Sequence, residues 1–467
     1  MSAVGGLVSR AVDFRRGEGA ALTWSCAYFF LILTAYYILR PIRDEMGVQG
    51  GVENLAWLFT GTLVGMLLLH PLYTSLVARL PRNRFVPLTY RFFILNLIIF
   101  FLLFRFSEAG QTVWIGRVFF IWVSVFNLFV VSVFWSFMTD LYRPAQSKRL
   151  FGVIAVGGTL GAMLGSSITA ALAVPLGPIN LLLVSAFFLE IAARSAQGLD
   201  RQEARLATVV EEEPEEDPNA TASSPVVAPP VELRAPEGRG SEVIGGGTLE
   251  GIRNVLRSPY LLGIAGLMLF FTISSTFLYF QQAALTDLYF GNDSARRTRF
   301  FANIDLLVNV LTLVTQVFIT GRMLRWLGIG LSLAFLPLVS VIGFGVLGVA
   351  PVLAVLVILQ VLRRAGNYAI QRPAREVLYT VLPRTDKYKA KNFNDTFVYR
   401  VGDQVGAWSY TLISWLGMGI AGLSFLMVPF SAIWLLLALW LGARYRRLQA
   451  EREREPAPLA GASLTDL

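Results

Sequence analysis

The chain has 467 residues, 55% of them hydrophobic, with a mean hydropathy of +0.59 and a formal net charge of +9. Such a composition leaves too little polar surface to cover a water-soluble globular fold. One cysteine, Cys26, and one histidine, His70, exclude an intrachain disulfide and a zinc site built from His and Cys clusters.

Arg15 and Arg16 precede a first apolar stretch that is too long for a cleavable signal core, so it is expected to stay as an anchor. A hydrocarbon core of ~30 Å takes roughly 20 helical residues. Stretches 20–39, 55–76, 85–104, 113–138, 151–173 and 179–193 satisfy that length and form an expected N-terminal half over 1–195. Residues 196–257 carry the acidic run Glu211–Asp217, a Pro-, Ala- and Ser-rich segment and Gly245–Gly247. No core can be buried with that composition, and a disordered cytoplasmic linker is expected. Stretches 260–288, 300–320, 328–349, 352–371, 393–415 and 421–441 follow within an expected C-terminal half, 258–445, with 446–467 as a tail.

Basic residues collect on alternate loops: Arg79, Arg82 and Arg84; Arg143, Lys148 and Arg149; Arg322 and Arg325; Arg384, Lys387, Lys389 and Lys391; and Arg444, Arg446 and Arg447. The positive-inside rule accounts for the net charge without a nucleic-acid partner and places both termini in the cytoplasm. Thr139-x-Leu141-x-Arg143-x4-Lys148 recurs as Thr380-x-Leu382-x-Arg384-x4-Lys389, an offset of 241 that also registers the helices. An all-α polytopic membrane protein is implied, with a major facilitator-type 6+6 transmembrane helix bundle.

Charged residues within spans are costly and normally face a bundle interior. Tyr36, Arg40 and Arg43 share a face of the first helix beside Asp44. Asp305, Asn309, Thr312 and Gln316 line one face of the eighth; Gln360, Arg364, Asn367 and Gln371 line the tenth; Lys391, Asp395, Tyr399 and Asp403 line the eleventh. The seventh adds Ser275 and Gln282. Arg40, Arg43, Arg363 and Arg364 are candidates to attract an anion, with Gln282, Asn309, Asn367 and Gln371 orienting it. Asp305, Asp395 and Asp403 are candidates for coupling or for salt bridges. Arg363 or Arg364 paired with Asp403 is equally a structural lock between helices ten and eleven. Arg40, Arg43 and Asp44 enter the interior only if the first helix continues toward Met46. Gly157, Gly161 and Gly165 form a small-residue ridge suited to close helix packing. No nucleotide-hydrolysis loop, nucleophile elbow or metal-ligand cluster occurs, and no cofactor is expected.

Three stretches resemble the ATP/ADP translocase family of nucleotide transporters: Tyr37-Ile38-Leu39-Arg40-Pro41-Ile42-Arg43-Asp44; Ser147-Lys148-Arg149-Leu150-Phe151-Gly152; and Arg372-Pro373-Ala374-Arg375-Glu376-Val377-Leu378-Tyr379 with Lys389-Ala390-Lys391. The resemblance implies a major facilitator fold and exchange of nucleotides. The family's basic residue of helix one is matched by Arg43. Its acidic positions fall on Gln146 and near Leu278, and its helix-eleven lysine falls on Asp403.

The expected function is therefore secondary active transport of a small organic or phosphorylated anion, nucleotide-like solutes included, by alternating access in a bacterial-type inner membrane. A lipid flippase of the same fold and a non-transporting membrane scaffold remain as alternatives; membrane lipid is the expected surroundings in each.

Overall fold

The computed structural model describes residues 18–79, 82–142, 144–200, 255–382, 390–391 and 393–454. Most of the expected linker (201–254), the tail beyond 454, and Arg143, Arg384, Lys387 and Lys389 lie outside them. Among the described residues every regular element is helical. The first half comprises α1 (Glu18–Gln49), α2 (Leu55–Arg79), α3 (Arg82–Phe106), α4 (Ala109–Leu141), α5 (Pro144–Leu176) and α6 (Leu181–Asp200). The second comprises α7 (Pro259–Phe290), α8 (Ser294–Trp326), α9 (Gly328–Val349), α10 (Leu353–Val381), α11 (394–415) and α12 (Ile420–Arg454). All but α11 are long and apolar enough to cross a membrane. In α11 a π turn over Asn394–Val398 leaves only 17 residues of regular helix.

Several helices overrun their expected ends. α6 continues to Asp200 and α12 to Arg454; the α12 extension is held because Tyr445 and Leu448 keep packing on the core beside Tyr260 and Leu378. α1 does not stop near Leu39. It runs through Pro41 to Gln49, a proline that neighbouring helices make tolerable in a membrane. It stops at Gly51, whose φ of +89° suits glycine, and a 3-10 turn over Val52–Asn54 leads into α2.

The glycine ridge of α5 packs on α1. A Cβ at Gly161 or Gly165 would collide with the carbonyls of Phe30 and Thr34, while Gly157 lies against Cys26. Thr34 donates to the Gly161 carbonyl at 3.2 Å, and Thr169 to that of Ile38 at 3.4 Å. The two helices therefore run parallel and in register, with Arg149 paired to Glu18 at their shared start.

α5 packs on α8, α2 on α11 and α1 on α7, so each half touches the other through several helices. An apolar cluster joins the halves beside the α1–α2 turn: Leu55, Phe59 and Phe120 pack with Tyr279, Phe280 and Ala407. Trp408 donates to Thr60, and Thr60 donates to Gln404 at 2.9 Å, in the same region. The two halves are in contact at this end of the bundle. We call it the far face, and the opposite end, where Glu18, Arg149, Arg322 and Arg325 lie, the basic face.

Candidate functional site

The extension of α1 carries Arg40, Arg43 and Asp44 into the boundary between the halves. Arg364 Nη2 of α10 donates to Asp305 Oδ1 of α8 at 2.6 Å, and Arg40 Nη1 of α1 lies 3.6 Å from the same oxygen. Two guanidinium groups thus share one carboxylate, and one positive charge is left unbalanced. Asp305 is 2% exposed at its side chain, whereas Arg40 and Arg364 each keep 17%. Arg43 turns aside to Asp44, with contacts of 2.6 and 3.0 Å, and its guanidinium lies 5.1 Å from the Phe120 ring centre. Tyr279 of α7 donates to the same Asp44 oxygen at 3.0 Å, which ties the two halves together.

On α8, Asp305 Oδ2, Asn309 Nδ2 and Thr312 Oγ1 are buried without a hydrogen-bond partner, all on the stripe that holds Arg364. Gln282 accepts from Gln360 at 2.7 Å and both are buried. These side chains form a polar seam from α1 across α7, α8 and α10.

The helix-ten stripe is not the one that the helical period predicts. A π turn over Asn367–Gln371 interrupts α10 and rotates the residues beyond it. Asn367 and Gln371 are buried, and neither Asn367 Oδ1 nor either polar atom of the Gln371 side chain has a partner. The partly open face instead carries Arg364, Tyr368 and Arg372, with the Arg372 guanidinium 5.9 Å from the Tyr368 ring centre. The α10 π turn also meets one in α8, where Thr320 donates to the Ala369 carbonyl at 2.7 Å.

The expected lock between Arg363 or Arg364 and Asp403 is absent. Arg364 is drawn to Asp305. Arg363, 2% exposed, donates to the Ser274 carbonyl and hydroxyl at 3.0 and 2.6 Å, and so binds α10 to α7. Asp403 faces Arg400 of its own helix at 3.5 Å. Asp395 pairs with Arg375 at 3.4 Å near the basic face, away from the Asp305 cluster.

Sequence reasoning missed a second cluster at the far face. Glu45 of α1 is completely buried; Arg297 of α8 lies 4.0 Å from it and donates to Asp287 Oδ1 of α7 at 2.8 Å. The signal was Glu45 itself, an acid following Asp44 in an apolar helix whose end the sequence leaves undefined.

Fold and seam together define a polytopic membrane bundle of the major facilitator kind. A bacterial homologue of the iron transporter ferroportin, in an inward-facing state, aligns with TM-score 0.60 over 91% of this chain and 98% of that one at 13% identity. The POT family transporter PepTSo aligns with TM-score 0.58 over 92% and 99% at 14% identity. In sequence the chain is distantly similar to ADP,ATP carrier proteins. It is 23% identical to ADP,ATP carrier protein 1 of Chlamydia trachomatis serovar D, over 74% of this chain and 68% of the relative. It is 21% identical to ADP,ATP carrier protein 1 of Chlamydia muridarum, over 93% and 90%. No protein-family model matches.

Proposed function

We propose that this protein is a secondary transporter that moves an organic or phosphorylated anion by alternating access, with a nucleotide-like solute as the first candidate. The observation that carries this reading is the pair of arginines, Arg40 and Arg364, from opposite halves, sharing the single carboxylate of Asp305. An anion arriving between them meets an unbalanced positive charge and planar donors suited to a phosphate or carboxylate. The unpartnered Asn309 and Thr312 groups offer further polar contacts on the same stripe. Because Arg40 and Arg364 belong to different halves, a solute bound by both is passed from one side to the other as the halves rock. The likeness to ADP,ATP carriers makes nucleotides the first solutes to try.

By the positive-inside rule we read the basic face as cytoplasmic and the far face as outer, in a bacterial-type inner membrane, with the halves in contact at the outer end. The test is uptake of labelled ADP into proteoliposomes preloaded with ATP, comparing wild type with Arg364→Ala. Uptake by wild type that is lost in a folded Arg364→Ala protein supports the reading. Absence of uptake by folded wild type rejects nucleotide exchange and directs the search to other anions.

A further inference from the structure

The outer contact between the halves holds a carboxylate that the solute seam does not use. Glu45 is 0% exposed, and neither of its oxygens accepts a hydrogen bond. The Ser294 hydroxyl, at the start of α8, is the polar side chain that lies against it. Its nearest cation, Arg297, comes only to 4.0 Å and is already engaged by the Asp287 carboxylate and the Gly291 carbonyl. Asp287, half exposed to water, takes the Nη2 side of Arg297 at 2.8 Å, which leaves Glu45 only the long 4.0 Å contact from Nη1.

Of the other charged groups on the surrounding helices, Arg296 pairs with Asp293 at 3.2 Å and Arg299 is exposed to water. Arg43 and Asp44 bond each other, and Tyr279 bonds Asp44. Arg117 of α4 donates to the Gly50 carbonyl and lies 4.6 Å from the Trp114 ring centre. Glu53, in the 3-10 turn before α2, is exposed and accepts from Asn54. From 166 to 189, α5 and α6 carry no titratable residue. Thr286 and Thr298, next in the chain to Asp287 and Arg297, have buried hydroxyls without partners.

A lone carboxylate in such a place costs several kcal/mol as an anion and far less as a neutral acid. Its environment is also assembled from both halves, Glu45 from the first and Arg297 and Asp287 from the second. Parting the halves at the outer face gives Glu45 to water.

We propose that Glu45 is a proton-binding site of the transport cycle, holding a proton while the outer face is shut and releasing it to outer water when the halves part. On release the O–H bond breaks heterolytically, the electron pair stays on the carboxylate and water takes the proton. Closure then takes up one proton per protein, so acid on the outer side favours the closed arrangement. The proposal rests on alternating access and not on the identity of the solute.

The test places spin labels on cysteines introduced at the exposed Glu53 and Leu416, in a Cys26→Ala background, and measures their distance distribution against pH without solute. Wild type should show the closed population rising with acid, the closed-to-open ratio changing by up to about tenfold per pH unit for one proton. Glu45→Gln should remain closed at every pH, and Glu45→Asp should keep a pH response. Infrared spectroscopy of the closed protein should show a protonated-carboxyl band that moves in Glu45→Asp and vanishes in Glu45→Gln. The infrared comparison with Glu45→Asp decides the matter should Glu45→Gln not fold. A pH-independent wild type, an unchanged response in Glu45→Gln, a response abolished by Asp287→Asn instead, or a carboxyl band indifferent to position 45 would each overturn the proposal. Neither readout requires ADP transport, so failure of the nucleotide reading leaves this test intact.

Discussion

Arg40 and Asp305 face each other across the boundary between the two halves at 3.6 Å, and Asp305 is held on its other side by Arg364 at 2.6 Å. Asp305 is the hinge of the seam's charge balance: without it, two guanidinium groups face one another uncompensated. Asp305→Asn should lower stability by about 2 kcal/mol, below the usual cost of breaking a fully buried pair because both arginines retain some water. Thermal unfolding in detergent, followed by tryptophan fluorescence, measures this. An unchanged melting temperature would mean that the arginines do not depend on this carboxylate.

The bond from Tyr279 to Asp44 joins α7 to α1, and on the alternating-access proposal it is lost when the halves part at the outer face. Tyr279→Phe removes it and leaves the ring packing on Phe59 and Phe280 intact. A hydrogen bond to a charged acceptor contributes about 1.5 kcal/mol, so the closed-to-open ratio should fall about tenfold. The Glu53–Leu416 label distance reads that shift, and an unmoved distribution would show that the bond does not hold the closed form.

Two glycines of one helix should behave oppositely. Gly161 touches the Phe30 backbone, and Gly161→Leu should destabilise the α1–α5 contact by about 1–3 kcal/mol or prevent folding. A methyl group at Gly152 would meet no atom within 4 Å, and Gly152→Ala should gain about 0.5–1 kcal/mol of helix stability. Monodispersity on size exclusion and melting temperature separate the two; equal behaviour would contradict the packing described for α5.

Among the described residues Asp403 makes its ion pair with Arg400 of its own helix at 3.5 Å, with side chains 16% and 36% exposed. Asp403→Asn should therefore change stability by no more than about 1 kcal/mol and leave the pH response of outer closure as in wild type. Loss of that response in a stable Asp403→Asn protein would transfer proton coupling from Glu45 to α11.

Much of the architecture was legible because it obeys local rules. Runs of roughly 20 apolar residues must become helices in a bilayer, since no other backbone arrangement satisfies its own polar groups there apart from a closed barrel. The Gly157–Gly161–Gly165 spacing announced a close helix contact. The presence of Arg40 and Arg43 in the first helix announced a polar interior, although not how far that helix would run. Arg40-Pro41-Ile42-Arg43-Asp44 reads as a helix end at a membrane surface. It continues because partners from the other half, Asp305 and Tyr279, meet its charges, and those partners lie more than 200 positions away in sequence.

The stripe on α10 failed for a different reason. A strict helical period groups Asn367 and Gln371 with Arg364, but the π turn adds a residue to one turn and brings Tyr368 and Arg372 to the open side instead. Periodicity carries no sign of such an insertion.

By itself, then, the sequence determined the all-α membrane bundle and the inventory of polar residues that the helices retain. The tertiary structure decided which charges meet: Arg364 with Asp305 rather than Asp403, Arg43 with Asp44, and Glu45 with no full partner. Hydrophobic length and spacing act along the chain and can be read from it. Charge pairing depends on separations of a few ångströms between distant segments, and only the packed bundle sets those.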